Sequence, residues 1–121
     1  MTHRILIIED NPSTCKLAKD ILEFQGHQIL VADNAGLGID IARHEKPDLI
    51  IMDMLLPIKN GYEATGELKE DGETAHIPVV AFSAMVSDAD KQKAKACGCD
   101  GFIEKPVDFA NFSKQIKAFL S

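Results

Sequence analysis

Five short apolar runs punctuate the chain: Ile5–Ile8, Ile29–Ala32, Leu49–Met52, Val79–Phe82, and Phe102 with Ile103. Each reads as a strand. The runs at Ile5, Leu49 and Val79 are nearly continuous and rich in β-branched residues, without a polar residue at every second position. A strand of that kind needs cover on both faces, so these three are expected at the centre of a sheet.

Between the runs lie segments with helical period and readable ends. Asn11 is a candidate N-cap with Pro12 at the first helical position, and Leu17, Ala18, Ile21 and Leu22 share one face of a helix that stops near Gly26. A second helix is predicted after Asn34 and before Pro47, and a third from about Gly61 to Glu70. The fourth, Ser87 to Cys97, opens with Ser87 and Asp90 as a capping box and carries few large apolar residues, which suits a movable face. The fifth follows Asp108 and is predicted to run to the C-terminus, with Phe109, Phe112, Ile116, Phe119 and Leu120 as the apolar stripe that docks it on the sheet.

Strict alternation of strand and helix requires long, right-handed crossovers between parallel strands. The expected fold class is therefore α/β, a single doubly wound five-stranded parallel sheet. A length of 121 residues suits one such domain, so residues 1–121 are read as one unit with no effector domain.

Nineteen acidic residues against 13 Lys and Arg leave a net charge of −6. That field repels a nucleic-acid backbone and an anionic lipid surface, so neither nucleic acid nor membrane is an expected partner. Cys15, Cys97 and Cys99 lack the spacing of a disulfide framework and suit a reducing compartment. With no signal peptide or membrane span legible, the expected location is the cytoplasm.

Polar residues gather where strands end: Glu9 and Asp10 after the first, Asp53 after the third, Ser83 after the fourth, Lys105 near the end of the fifth. Open α/β sheets bind ligands at that carboxyl edge, where strand order reverses. Alone, each residue has a plain explanation as a turn former, a solvated hydroxyl or a surface charge. Three carboxylates brought together would instead repel one another, raise a pKa and ask for a cation. Magnesium fits hard oxygen ligands of this kind, with Asp10 and Asp53 as direct ligands.

Glu9-Asp10-Asn11, Asp53 followed by Leu56-Pro57 and Gly61, Ser83-Ala84 and Lys105-Pro106 stand in order along the chain. In these motifs and their spacings the sequence resembles the receiver domains of bacterial two-component response regulators over essentially its full length. The resemblance implies a (βα)5 flavodoxin-like fold with strand order 2-1-3-4-5. It also implies that Asp53 is the phosphoacceptor, taking a phosphoryl group from a histidine kinase or a histidine phosphotransfer protein. Mg2+, with Mn2+ as a possible substitute, would be held by Asp10, Asp53 and the backbone carbonyl of Leu55, with Glu9 acting through water. Ser83, Ala84 and Lys105 would bind the phosphoryl group, and a cis Lys105-Pro106 turn would aim the lysine. Ser83 and Phe102 occupy the coupled switch positions, and Phe102 lacks the hydroxyl of the Tyr often found there. The fourth helix, fifth strand and fifth helix would form the face read by a downstream target protein. Leu55 and Met85 fall at the mouth of the cleft, where bulky apolar side chains would keep hydrolysis slow.

The Lys-Pro-Asp-Leu, His-Ile-Pro-Val-Val and Gly-Cys-Asp-Gly segments look most like stand-alone receivers of the cell-division type. Such a protein would signal by binding a partner or by relaying the phosphoryl group, and would assist its own phosphorylation and dephosphorylation without being an enzyme on another substrate. Other readings fare worse. A flavin protein of the same topology needs a Ser/Thr/Gly-rich phosphate loop after the first strand, where this chain has acids. An aspartate phosphatase needs a second Asp two residues after the first, whereas Asp10 is followed by Asn11 and Pro12. A docking module that is never phosphorylated would not need the full set of site residues. Gly36-Leu37-Gly38 lacks the third glycine of a dinucleotide loop. Cys97-Gly98-Cys99 has no second cysteine pair or clustered histidines for zinc, so these cysteines read as turn and packing residues.

Overall fold

The computed structural model describes residues 2–120. The elements alternate as expected: β1 (Arg4–Ile8), α1 (Pro12–Phe24), β2 (Gln28–Ala32), α2 (Ala35–Glu45), β3 (Leu49–Asp53), α3 (Gly61–Glu70), β4 (Val79–Ser83), α4 (Asp88–Ala96), β5 (Gly101–Glu104) and α5 (Phe109–Lys117). The strands form one parallel sheet in the order β2-β1-β3-β4-β5. The three continuous apolar runs are the three central strands, and every residue of β3 and β4 is buried.

Side chains alternate across a strand, so each central strand feeds two cores. Leu6, Ile8, Ile50, Met52, Val79 and Ala81 point to the side covered by α2, α3 and α4. Ile5, Ile7, Leu49, Ile51, Val80 and Phe82 point to the side covered by α1 and α5. Phe112 anchors α5 there with no exposed surface, its ring stacked on Phe82 at 5.9 Å between centroids. Truncating such a ring costs about 3–5 kcal/mol.

Each helix begins at a polar cap. Asn11 accepts from the Thr14 N–H, Asn34 from Leu37, Asn60 from Glu63, Ser87 from Asp90 and Asp108 from Asn111. These bonds satisfy amides that the helices leave free, and they set where each helix starts relative to the strand before it. The capping box of α4 forms as predicted, and Ala94 is its only buried residue.

Three expectations need correction. Leu17 is 45% exposed: a helical step of about 100° from Ala18 carries it off the buried stripe. Phe109 is 47% exposed and does not dock α5 on the sheet; it sits at the start of that helix, edge-on to the exposed Phe24 at 5.3 Å. Helix α5 ends at Lys117 rather than at the C-terminus, because the chain tightens into bonds from Phe119 N–H to the Ile116 carbonyl and from Leu120 N–H to that of Lys117. The tighter turn lays the Phe119 ring over β5, in the space where a side chain at Gly101 would stand.

Candidate functional site

The carboxyl ends of β1, β3, β4 and β5 meet at one edge of the sheet. Ile8 pairs with Met52, Asp53 with Phe82, and Ser83 with Glu104. Residues just past these pairs are therefore neighbours in space, although they lie far apart in sequence.

Glu9, Asp10 and Asp53 converge, one carboxylate oxygen of each lying within 4.8 Å of the others. Glu9 and Asp53 are each 3% exposed, while Asp10 is exposed at the rim. Lys105 reaches in from the end of β5, its Nζ 2.5 Å from Glu9 Oε1 and 3.4 Å from Asp53 Oδ1. The same ammonium lies 4.8 Å from the centroid of the Phe82 ring, which supports it from beneath. The Lys105–Pro106 peptide is cis, as expected.

Backbone donors orient the acids. Asn11 N–H donates to Glu9 Oε2 at 3.1 Å, and Leu55 N–H donates to Asp53 Oδ1 at 3.0 Å. Glu9 Oε1 is buried, and its close neighbour is the Lys105 ammonium. Burial and the hydrogen bond with Asp53 push Glu9 up to about 7. Burial alone would raise Asp53 as well, but hydrogen bonds from Glu9 and the Leu55 N–H, with the charge of Lys105, hold it below the usual carboxylate range. The two shifts run in opposite directions, so the site holds a proton more tightly on Glu9 than on Asp53.

The structure places the remaining candidates around this cluster. Ser83 is buried at the end of β4, where its hydroxyl oxygen accepts the Met85 N–H at 3.0 Å. Ala84 and Pro106 are exposed, and Leu55 and Met85 stand 57% and 52% exposed, Leu55 in the loop after Asp53 and Met85 two residues after Ser83. Phe102 is half-buried on β5 and packs against the core beneath α4.

Two features were not legible beforehand. Phe82 read only as a core residue, since nothing in an apolar run marks the ring that will face a lysine. The reason for Gly61 is also tertiary: a Cβ there would lie 2.3 Å from the Asp53 carbonyl oxygen and 2.7 Å from Met54 Cα. Only glycine lets α3 start this close to the acidic residue's own backbone, and the Gly61 N–H to Met54 carbonyl bond at 3.2 Å closes the loop. Within that loop Ile58 is fully exposed at φ 68°, a left-handed conformation unusual for a β-branched residue.

The cluster sets three carboxylates against one ammonium, an excess of negative charge on hard oxygens that fits a divalent cation. No helix among the described residues is long and apolar enough to cross a membrane.

A sequence model of the response regulator receiver domain matches residues 5–117. The polar-differentiation response regulator DivK of Brucella anthropi is 38% identical over 120 residues, spanning 99% of this chain and 98% of that protein. Protein PilH of Pseudomonas aeruginosa is 41% identical over 118 residues, 98% of each. Among solved structures, the chemotaxis protein CheY4 of Vibrio cholerae superposes with a TM-score of 0.94 at 22% identity, covering 99% of this chain and all 100% of that one. The receiver domain of the sensor histidine kinase PA1611 from Pseudomonas aeruginosa, solved with magnesium in its active-site cleft, gives 0.90 at 24% identity over 98% of both chains. These two likenesses establish the flavodoxin-like fold.

Proposed function

Because the chain belongs to the response regulator receiver domain family, we propose that it is a stand-alone phosphoacceptor with Asp53 as the residue modified. The observation that carries this is Asp53 itself: buried, ionised, held at one oxygen by the Leu55 N–H and faced by Lys105. DivK and PilH, each matched over 98% of its own length, support the reading as a phosphoacceptor signalling domain.

An Asp53 oxygen attacks the phosphorus of a phosphohistidine on a histidine kinase or phosphotransfer protein. The P–N bond breaks, its electron pair goes to the imidazole nitrogen, and that nitrogen takes a proton from water to leave as neutral histidine. Lys105 neutralises charge on the transferred group, while the Ser83 hydroxyl and the Ala84 N–H donate to its oxygens. Ser83 can donate to a phosphoryl oxygen while its own oxygen still accepts the Met85 N–H, which ties the phosphoryl group to the loop before α4. Phe102 fills the space behind the moving serine, and the α4–β5–α5 face carries the change to a downstream protein.

Mg2+, or Mn2+ in its place, would be held by Asp10, Asp53 and the Leu55 carbonyl, with Glu9 acting through water. When bound it supplies positive charge at the transferring oxygens. A net charge of −6 disfavours nucleic acid and anionic membranes as partners and suits a protein that works in the cytoplasm.

The test is intact-mass measurement after incubation with acetyl phosphate and Mg2+. One added phosphoryl group is expected in the wild type and none in Asp53→Asn. Equal labelling of both proteins would overturn the assignment.

A further inference from the structure

The two cysteines that flank Gly98 are not used by the phosphoacceptor chemistry, yet their sulfurs face one another. Cys97 Sγ and Cys99 Sγ are 3.9 Å apart, and both side chains are half-buried rather than sealed in the core. Cys97 caps the C-terminal end of α4, and the chain reverses through Gly98 at φ 110°. The Gly98 N–H donates to the Lys95 carbonyl and the Cys99 N–H to that of Ala94, both at 3.1 Å. This is a Schellman cap, in which a left-handed glycine brings the residues before and after it to the same side of the helix end. Cysteines at those two positions become a proximal dithiol by construction.

We propose that Cys97 and Cys99 are a redox modification site that closes to an intramolecular disulfide when a small-molecule disulfide such as oxidised glutathione is the oxidant. The Cys97 thiolate attacks one sulfur of the oxidant, and one glutathione thiolate leaves. The Cys99 thiol then attacks the Cys97 sulfur, and its proton goes to the second glutathione thiolate as that leaves. The protein gives up two electrons and two protons; the oxidant is reduced to two thiols.

Burial pushes Cys99 up to about 12, so Cys97 is the attacking sulfur and Cys99 the resolving one. Closure needs the sulfurs to approach by roughly 2 Å from their present separation. The intervening residue is glycine, the least restricted of all. A ring that spans one residue is labile, as regulatory disulfides in reducing compartments are. Cys99 also lines the groove between α4 and β5 with Lys91, Ala94, Lys95 and Phe102. Closure there fixes the turn between α4 and β5, two residues before the strand that carries Phe102.

The experiment incubates the folded protein in glutathione buffers of rising oxidised fraction, then alkylates it and reads the intact mass. The wild type has three free thiols. It is expected to keep only one reactive, with no glutathione attached, and to recover all of them with reductant. Cys15→Ala should close its ring in the same way, whereas Cys97→Ala and Cys99→Ala should retain both remaining thiols or carry a trapped glutathione. Asp53→Asn should behave as wild type, which separates this test from that of the phosphoacceptor. Persistence of three reactive thiols in the wild type, or oxidation only to glutathione adducts or cross-linked dimers, would overturn the proposal.

Discussion

The ammonium of Lys105 stands nearer to Glu9, at 2.5 Å, than to Asp53, at 3.4 Å. In the metal-free protein the lysine thus lies nearest the acid that burial and Asp53 push up to about 7, and only partly opposes that rise. A raised carboxylate contributes stability below its unfolded pKa that is lost as pH rises through its folded value. For Glu9 that window runs from its ordinary 4.5 to about 7. Metal-free protein should lose stability on the order of 3 kcal/mol across it, and Glu9→Gln should flatten the profile. Urea melts at stepped pH check this; a wild-type profile as flat as that of the variant would refute it. Protons and cation compete for the same oxygens, so Mn2+ affinity read by electron paramagnetic resonance should rise towards neutral pH and level off above it.

Gly61→Ala places a methyl group against the backbone of Asp53 and Met54, which has no flexible end to yield. The loop that orients Asp53 must shift, and a loss of at least about 2 kcal/mol in stability is expected. Labelling by acetyl phosphate should fall with it. A variant with wild-type stability and labelling would show that the loop tolerates the contact.

Ile58 holds φ 68° with its side chain fully in solvent, so replacing it removes strain without removing packing. Asparagine tolerates the left-handed region, and Ile58→Asn should stabilise the protein by about 1 kcal/mol. Denaturant midpoints at constant m-value would measure the gain; a destabilised variant would mean that the exposed isoleucine makes a contact in solution.

Leu55 offers an attacking water no hydrogen bond and stands exposed in the loop after Asp53. Leu55→Asn should hold and orient that water, shortening the phosphorylated lifetime by roughly tenfold while leaving labelling intact. Decay is followed by intact mass after the donor is removed, with Mg2+ constant. A lifetime equal to or longer than that of the wild type would exclude water access at Leu55 as the controlling factor.

Much of this molecule is written in local pattern. The β-branched runs at Ile5, Leu49 and Val79 name the central strands because a strand buried on both faces can carry nothing else. Asn11, Asn34, Ser87 and Asp108 mark helix starts because their side chains bond amides only three residues ahead. That Glu9, Asp10, Asp53, Ser83 and Lys105 gather at one edge was expected for a similar reason, since the carboxyl ends of parallel strands lie along the same edge of the sheet.

The remainder depends on contacts between residues distant in sequence, set by strand register and crossover. Whether Leu17 or Phe109 is covered depends on which neighbouring helix comes within reach, and a helical period records only the face. The end of α5 at Lys117 follows from the place Phe119 finds beside Gly101 on β5. Which acid keeps the proton, Glu9 or Asp53, is settled by a lysine from β5, a ring from β4 and amides from two loops meeting in one desolvated space. Electrostatic energy varies with distance and burial, and both exist only once the sheet has assembled.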